Sequence, residues 1–220
     1  MVTVALVDDH QLFRKSLSLL LNSFENISTV FDTDNGKSLL DFLEDSSLDV
    51  ALLDLQMPLM DGYELCKLLR NSYPQVKIII VSQLTTKEAV HKVMELGANG
   101  FFTKNSPPEQ LEVAIKSVME KDYYFDLELS AVIREAILWE KKIPGNNYGT
   151  NGINFSRREI EIIVLSCREL SSKEIASSLY ISVRTVEKHR NHIMEKAHSK
   201  NFIGAILYAL KNNYISLEDI

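Results

Sequence analysis

The segment DVALLDLQMPLMDG, residues 49–62, carries the clearest indication of the fold. Its apolar run, residues 50–53, is typical of a short strand that is buried on both faces of a parallel sheet. The run ends at Asp54, and Pro58 and Gly62 then predict a loop before the next helix. An acidic side chain at the carboxyl end of such a strand lies where open α/β sheets form their ligand crevice.

Three further apolar runs also end in polar side chains. The runs are residues 4–7, 78–81 and 101–103, and the side chains that follow them are Asp8 and Asp9, Ser82, and Lys104. Any one of these groups alone is an ordinary strand-end charge or cap. Because the carboxyl ends of parallel strands meet at one edge of a sheet, we expect them to form one site with Asp54. Three carboxylates close together repel one another and need a cation, and their oxygens are ligands that suit Mg²⁺. A carboxylate is also a known nucleophile towards phosphoryl groups.

The alternation of strands and helices predicts the fold class. Five strands that alternate with five helices indicate a doubly wound parallel sheet covered on both faces, over residues 1–121. Pro107 is expected to open the last of these helices. Residues 122–152 are predicted to form a linker that contains a helix over 127–141. Residues 143–152 within it are predicted to be a flexible tether. The remaining residues, 153–220, form a smaller all-α domain of four helices.

The charge balance differs between the two ends of the chain. Residues 1–150 carry 14 basic and 22 acidic side chains, whereas residues 151–220 carry 10 basic and 8 acidic ones. An acidic body with a mildly basic tail suggests that only the tail meets a polyanion. The sequence has no basic leader and no apolar run long enough to span a membrane, so we expect a cytoplasmic protein without a membrane partner.

Helix-start signals recur in the tail. An apolar residue followed by a serine that can cap a helix precedes residues 157, 172 and 183, and the first two serines belong to capping boxes. A fourth helix is predicted over residues 202–212. The second and third helices are separated by three residues, which describes a helix-turn-helix.

A helical wheel divides the third helix of the tail into two faces. The inner face carries Val186, Ile193 and Ala197. The outer face carries polar and charged groups able to reach base edges and phosphates: Arg184, Glu187, Lys188, Asn191 and Glu195. A merely solvated charged face is the alternative, and the helix-turn-helix spacing favours DNA recognition over it.

These motifs resemble a known family. Residues 1–121 resemble the flavodoxin-like receiver domain of two-component response regulators, and residues 153–212 resemble the LuxR-type effector domain, which together imply the NarL/FixJ family. The resemblance implies that Asp54 is the phosphoacceptor, that Ser82 and Lys104 contact the phosphoryl group, and that Phe101 is an aromatic switch that turns inward. It implies a Mg²⁺ site formed by Asp8, Asp9, Asp54 and the main-chain carbonyl of Gln56.

The same resemblance implies a function and its partners. We expect a non-enzymatic transcription regulator that accepts a phosphoryl group from a sensor histidine kinase, binds double-stranded DNA and forms a homodimer when phosphorylated. The implied DNA-contacting residues are Arg184, Thr185, Glu187, Lys188, Arg190, Asn191, Arg157 and Arg158. Among them Glu187 and Lys188 are expected to read bases, and the arginines to contact phosphates.

The sequence departs from the family pattern in three ways. Gln83 stands where a small residue is usual, and Asn105, directly after Lys104, stands where many receivers have proline, so a cis peptide is not to be assumed there. Glu169 and His198 stand where glycine is usual, so a left-handed backbone at either would be strained. Two other functions stay open at this point. An aspartate-nucleophile phosphohydrolase would need a second acid at the position of Gln56, and a phosphorylation-gated adaptor would bind protein through the tail without touching DNA.

Overall fold

The computed structural model describes residues 1–84, 86–124, 154–168 and 170–216. The predicted linker helix over 127–141 and the tether over 143–152 lie outside these residues. Within them, no helix combines the length and the apolar character needed to cross a membrane.

The strands form one parallel sheet, as predicted. They are β1 (Val2–Val7), β2 (Ile27–Thr33), β3 (Val50–Leu53), β4 (Lys77–Ser82) and β5 (Gly100–Thr103), in the order β2-β1-β3-β4-β5. The register sets Val7 beside Leu53 and Ser82 beside Thr103. The polar residues that follow these positions therefore emerge at the same edge of the sheet.

Five helices cover the sheet on both faces. They are α1 (Gln11–Ser23), α2 (Gly36–Asp45), α3 (Gly62–Ser72), α4 (Lys87–Leu96) and α5 (Gln110–Lys121). Side chains of α2, α3 and α4 pack into one apolar cluster, and those of α1 and α5 pack into another. The alternating inward positions of β1 and β3 divide between the two clusters, which is the arrangement expected of strands buried on both faces.

The start of α5 differs from the sequence prediction. The helix begins at Gln110, not at Pro107. The amides of Gln110 and Leu111 donate to the carbonyls of Pro107 and Pro108, so a turn precedes the helix. Pro107 is itself followed by a proline, whose ring disfavours the α conformation in the preceding residue.

The C-terminal helices confirm the helix-start signals. They are α6 (Arg157–Cys167), α7 (Ser172–Ser178), α8 (Val183–Lys196) and α9 (Phe202–Lys211). Ser156 and Ser171 each form a complete capping box, and the hydroxyl of Ser182 accepts from the Thr185 amide. A separate apolar core joins all four helices. The turn between α7 and α8 gives the predicted helix-turn-helix.

The start of α3 is pressed against the segment that follows β3 and contains Asp54 and Leu55. The Gly62 amide donates to the Leu55 carbonyl at 3.0 Å. A Cβ at Gly62 would meet the Asp54 carbonyl oxygen and would lie 2.8 Å from Leu55 Cα. Only glycine allows this approach of the two main chains.

Gly62→Ala is therefore expected to lower the free energy of unfolding by about 3 kcal/mol, because main-chain atoms must move. Gly36→Ala, at the first residue of α2, is the matched control. Its Cβ would meet the flexible ends of Met60 and Leu65, so a loss of about 1 kcal/mol or less is expected. Urea unfolding followed by far-UV circular dichroism measures both. Equal losses would contradict the role assigned to the main-chain contact.

Candidate phosphoacceptor site and nucleic-acid interface

Asp8, Asp54 and Lys104 meet at the carboxyl edge of the sheet. The Lys104 ammonium lies 2.6 Å from Asp8 Oδ2 and 2.8 Å from Asp54 Oδ2. The side chains of Asp54 and Lys104 are only 4% and 7% exposed. The sequence-predicted convergence of these groups is thus present in the fold, with one cation between two buried carboxylates.

The two carboxylates change the acidity of Lys104. Burial by itself would lower the pKa of the ammonium, but the hydrogen bonds to Asp54 and Asp8 outweigh it and hold the pKa above its ordinary value. Lys104 is consequently charged at physiological pH. A fixed positive charge next to Asp54 is suited to meet an incoming phosphoryl group.

Asp9 and His10 complete the acidic cluster. Asp9 is more exposed than Asp8, and the imidazole Nδ1 of His10 lies 2.9 Å from Asp9 Oδ1 and 3.9 Å from Asp54 Oδ2. One ligand atom from each of Asp8, Asp9, His10 and Asp54 can be chosen so that all lie within 4.8 Å of one another. The sequence analysis missed His10, although its position directly after the two aspartates was a signal. Three carboxylates in this cluster supply the hard oxygen ligands that Mg²⁺ prefers, so the donor set fits that ion.

Arg14 anchors the loop that carries the acidic pair, and it too was missed. Its buried guanidinium donates to the Asp8 carbonyl and, at 3.2 Å, to Asp32 Oδ2. The Asp8 carboxylate in turn accepts from the His10 amide at 2.8 Å. These bonds fix the backbone from β1 to α1 and therefore the direction of Asp8.

Ser82, Phe101 and Gln56 are the other residues that the sequence assigned to this site. The Ser82 side chain is buried, and its Oγ accepts from the Leu84 amide at 3.1 Å. The Gln56 amide lies 3.4 Å from Asp54 Oδ1. Gln83 is exposed. Phe101 is fully buried among apolar side chains. The inward turn of its ring on phosphorylation stays a prediction.

The outer face of α8 is open to solvent. Its exposed residues include Arg184, Glu187, Lys188 and Asn191. The inner face of Val186, Ile193 and Ala197 is buried, as the helical wheel predicts. Polar groups that can read base edges are thereby presented on one side of a rigid helix.

Arg190 corrects one expectation for the DNA contacts. It is 3% exposed, and its guanidinium lies over the Phe202 ring at 4.2 Å and donates to Ser172 Oγ at 3.0 Å. A surface role on phosphates is wrong for this arrangement. The missed signal is spacing, because position 190 lies four residues after Val186 and three before Ile193, on the buried stripe.

Arg157, Arg158 and Thr185 are the remaining residues expected to contact DNA. Arg157 is exposed, whereas the Arg158 guanidinium donates to the Leu179 carbonyl at 2.8 Å and to Glu161 at 2.9 Å. Arg158 thus ties α6 to the end of α7, a structural role that the sequence analysis did not anticipate. The Thr185 hydroxyl lies 2.8 Å from Ser182 Oγ at the start of α8.

His198, which stands where glycine is usual in the family, adopts the left-handed backbone conformation. His198 has a positive φ of 49°, the left-handed conformation that glycine adopts without strain. Glu169, the other position where glycine is usual, lies outside the described residues.

The C-terminal helices rest against the α4–α5 side of the sheet domain. Asn201 donates to the Ala98 carbonyl, Arg190 donates to the Lys121 carbonyl at 2.6 Å, and Lys200 donates to Asn71 Oδ1 at 3.2 Å. The Tyr123 hydroxyl donates to the Ser166 carbonyl.

Apolar contacts continue this interdomain surface. Ile203 of α9 is buried in the same cluster as Val90, Val93 and Met94 of α4, and Leu207 packs against that cluster. None of the side chains expected to read bases takes part in these contacts. The sheet domain therefore holds α9 and leaves the outer face of α8 uncovered.

Comparison with family models decides the classification. The model of the response regulator receiver domain matches residues 4–116, and that of the bacterial regulatory proteins of the luxR family matches residues 154–209. The chain belongs to the NarL/FixJ family of response regulators. It is a response regulator with a receiver domain and a LuxR-type helix-turn-helix DNA-binding domain, which confirms the resemblance noted in the sequence.

Relatives of this response regulator match over almost their whole length. The oxygen regulatory protein NreC of Staphylococcus epidermidis is 30% identical over 214 residues, covering 96% of this chain and 98% of that protein. NreC of Staphylococcus aureus is 32% identical over the same shares. RcsB of Salmonella enterica serovar Typhimurium, solved bound to a promoter with a BeF₃⁻ phosphomimetic, is 22% identical, with a TM-score of 0.56 and coverage of 96% and 100%. The likeness to RcsB shows a shared fold.

Arg190→Ala is expected to destabilise the DNA-binding domain. The change leaves Ser172 Oγ and the Lys121 carbonyl without their charged donor, so the free energy of unfolding should fall by about 2–3 kcal/mol. Lys188→Ala, two residues earlier on the exposed face, is the control and should change it by less than about 0.5 kcal/mol. Urea unfolding of the two variants checks the difference, and an equally mild effect would show that Arg190 is not a structural residue.

Proposed function

We propose that phosphorylation of Asp54 controls sequence-specific DNA binding by the C-terminal helices, and thereby transcription. The observation that carries the proposal is the pairing of a buried Asp54 with Lys104 in a receiver whose α4 is packed against the helix-turn-helix domain. The proposed domain limits are residues 1–121, 122–152 and 153–220. The family matches over 4–116 and 154–209 support them.

The proposed phosphodonor is a sensor histidine kinase or a small acyl phosphate. A carboxylate oxygen of Asp54 attacks the phosphorus, an O–P bond forms, and the bond to the donor breaks with its electrons leaving on the donor. The Lys104 ammonium, already 2.8 Å from Asp54 Oδ2, stabilises the charge on the phosphoryl oxygens. A Mg²⁺ ion held by Asp8, Asp9, Asp54 and the Gln56 carbonyl would supply further charge compensation. The kinase and the DNA would both be met in the cytoplasm, which is the proposed location.

A route from Asp54 to the DNA-binding domain runs through α4. We infer that a phosphoryl group on Asp54 draws on Ser82, the last residue of β4, and that the segment leading to α4 shifts with it. The far end of α4 meets α9, where Asn201 donates to the Ala98 carbonyl and Ile203 joins the α4 cluster. A shift of α4 would loosen this surface and free the DNA-binding domain, so the receiver acts as a two-state switch biased by local charge.

DNA recognition is assigned to the outer face of α8. Lys188 can donate to guanine O6 and N7, and Glu187 can accept from the cytosine amino group. The exposed Arg184 and Arg157 are placed for phosphates. A homodimer formed on phosphorylation would place two such helices on an inverted repeat about one helical turn apart, as two-fold symmetry requires.

Asp54→Asn tests the phosphoacceptor. With acetyl phosphate and Mg²⁺, the unaltered chain should gain one phosphoryl group in intact-mass spectra and should bind a selected DNA site more tightly. Asp54→Asn should gain none and should show no change in DNA affinity, because the nearly isosteric amide is not a nucleophile. Asp9→Asn is a useful second variant, since it alters the acidic cluster and keeps the phosphoacceptor. Undiminished labelling of Asp54→Asn would contradict the assignment of Asp54 as the phosphoacceptor.

Glu187→Ala tests the base-reading role of α8. Loss of the carboxylate should relax the preference at one base pair by about 1–3 kcal/mol, with little change in the salt dependence of binding. Lys188→Ala is the comparison and should lose both affinity and specificity, with a shallower salt slope. Binding-site selection followed by affinity titration at two salt concentrations distinguishes them. An unchanged consensus for Glu187→Ala would mean that Glu187 is only a solvated helix residue.

A further inference from the structure

The ring of Phe13 lies against the ammonium of Lys104. Phe13 is the third residue of α1, and Lys104 Nζ lies over its ring at 4.6 Å from the centroid. The same ring lines a small cavity together with Asp8 and Asp54. Phe13 therefore borders the phosphoacceptor site from the side of α1.

This contact adds to the two hydrogen bonds of the ammonium. Lysine has three donors, and carboxylate oxygens accept at 2.6 and 2.8 Å from Asp8 and Asp54. A cation within about 6 Å of an aromatic centroid is attracted to the negative face of the ring, and more strongly where water is excluded. The Lys104 side chain is largely shielded from water, so the attraction to Phe13 is at the stronger end of its range.

Core packing alone does not call for an aromatic ring at position 13. Leu17, one turn further along α1, lines the same cavity and packs against the same apolar cluster as an aliphatic residue. An aliphatic side chain at position 13 would fill similar space. It would leave Lys104 without a π-face, which is the property that distinguishes phenylalanine here.

We propose that Phe13 is a positioning residue of the phosphoacceptor site, whose ring holds the Lys104 ammonium where it meets a phosphoryl group on Asp54. The inference rests on the proposed function of Asp54 and adds a residue to that site. Phe13 acts through Lys104 and does not itself touch the phosphoryl group. Its effect is tighter binding of a phosphoryl-like anion than an aliphatic residue would allow.

Graded fluorination of Phe13 tests this role in the full-length chain. Each ring fluorine weakens the negative face with little change in ring size. We expect the affinity for BeF₃⁻, measured with saturating Mg²⁺, to fall stepwise from phenylalanine to the mono-, di- and trifluoro forms, by about 3- to 10-fold in total. Phe13→Leu should show a loss of similar size.

Phe24 provides the matched control. It follows the last residue of α1 and packs against the same apolar cluster. Fluorination of Phe24 should leave BeF₃⁻ affinity within about twofold, because no ammonium among the described residues lies over its ring. A flat fluorination series at Phe13 overturns the proposal, even if Phe13→Leu weakens binding, since the effect is then packing. Failure of the unaltered chain to bind BeF₃⁻ would overturn the assignment of Asp54 itself.

Discussion

The position of the Lys104 ammonium between Asp8 and Asp54 determines how the candidate phosphoacceptor site can form. Two carboxylates of the same charge are buried side by side, and without a cation one of them would have to be protonated or exposed. Lys104 comes from the end of β5, and β4 separates β5 from β3. A long, flexible stem is therefore needed to carry the charge across the intervening strand. The order of the strands thus explains why the residue that neutralises Asp8 and Asp54 is a lysine.

The edge of the sheet that carries Asp54 is also where the chain leaves β4 towards α4. Asp54 directly follows β3, Ser82 ends β4, and the segment after Ser82 leads into α4. The opposite end of α4 meets α9 through apolar packing and through Asn201. The chain from Ser82 through α4, a helix of ten residues, thus runs from the sheet edge that carries the charged site to the domain interface, which is why α4 is the proposed route.

The interdomain surface is formed by residues of the DNA-binding domain that are not expected to contact bases. Arg190 is the clearest case, because one guanidinium contacts Ser172 and Phe202 within its own domain and the Lys121 carbonyl of the receiver. The base-reading candidates Glu187 and Lys188 stay exposed. The receiver therefore fixes the position of the DNA-binding domain without covering the face that would meet DNA, and position is what two-fold recognition of DNA requires.

The elements whose signals are local could be predicted from the sequence alone. The buried run of β3, the capping serines before α6, α7 and α8, and the acids at the strand ends all follow from spacing along the chain. The other features depend on how the chain packs: Arg190 donates to the Lys121 carbonyl, Phe13 faces Lys104, and α9 is docked on α4. Each of these depends on which surfaces meet in space. Periodicity specifies which face of a helix is apolar, but it does not specify what that face packs against.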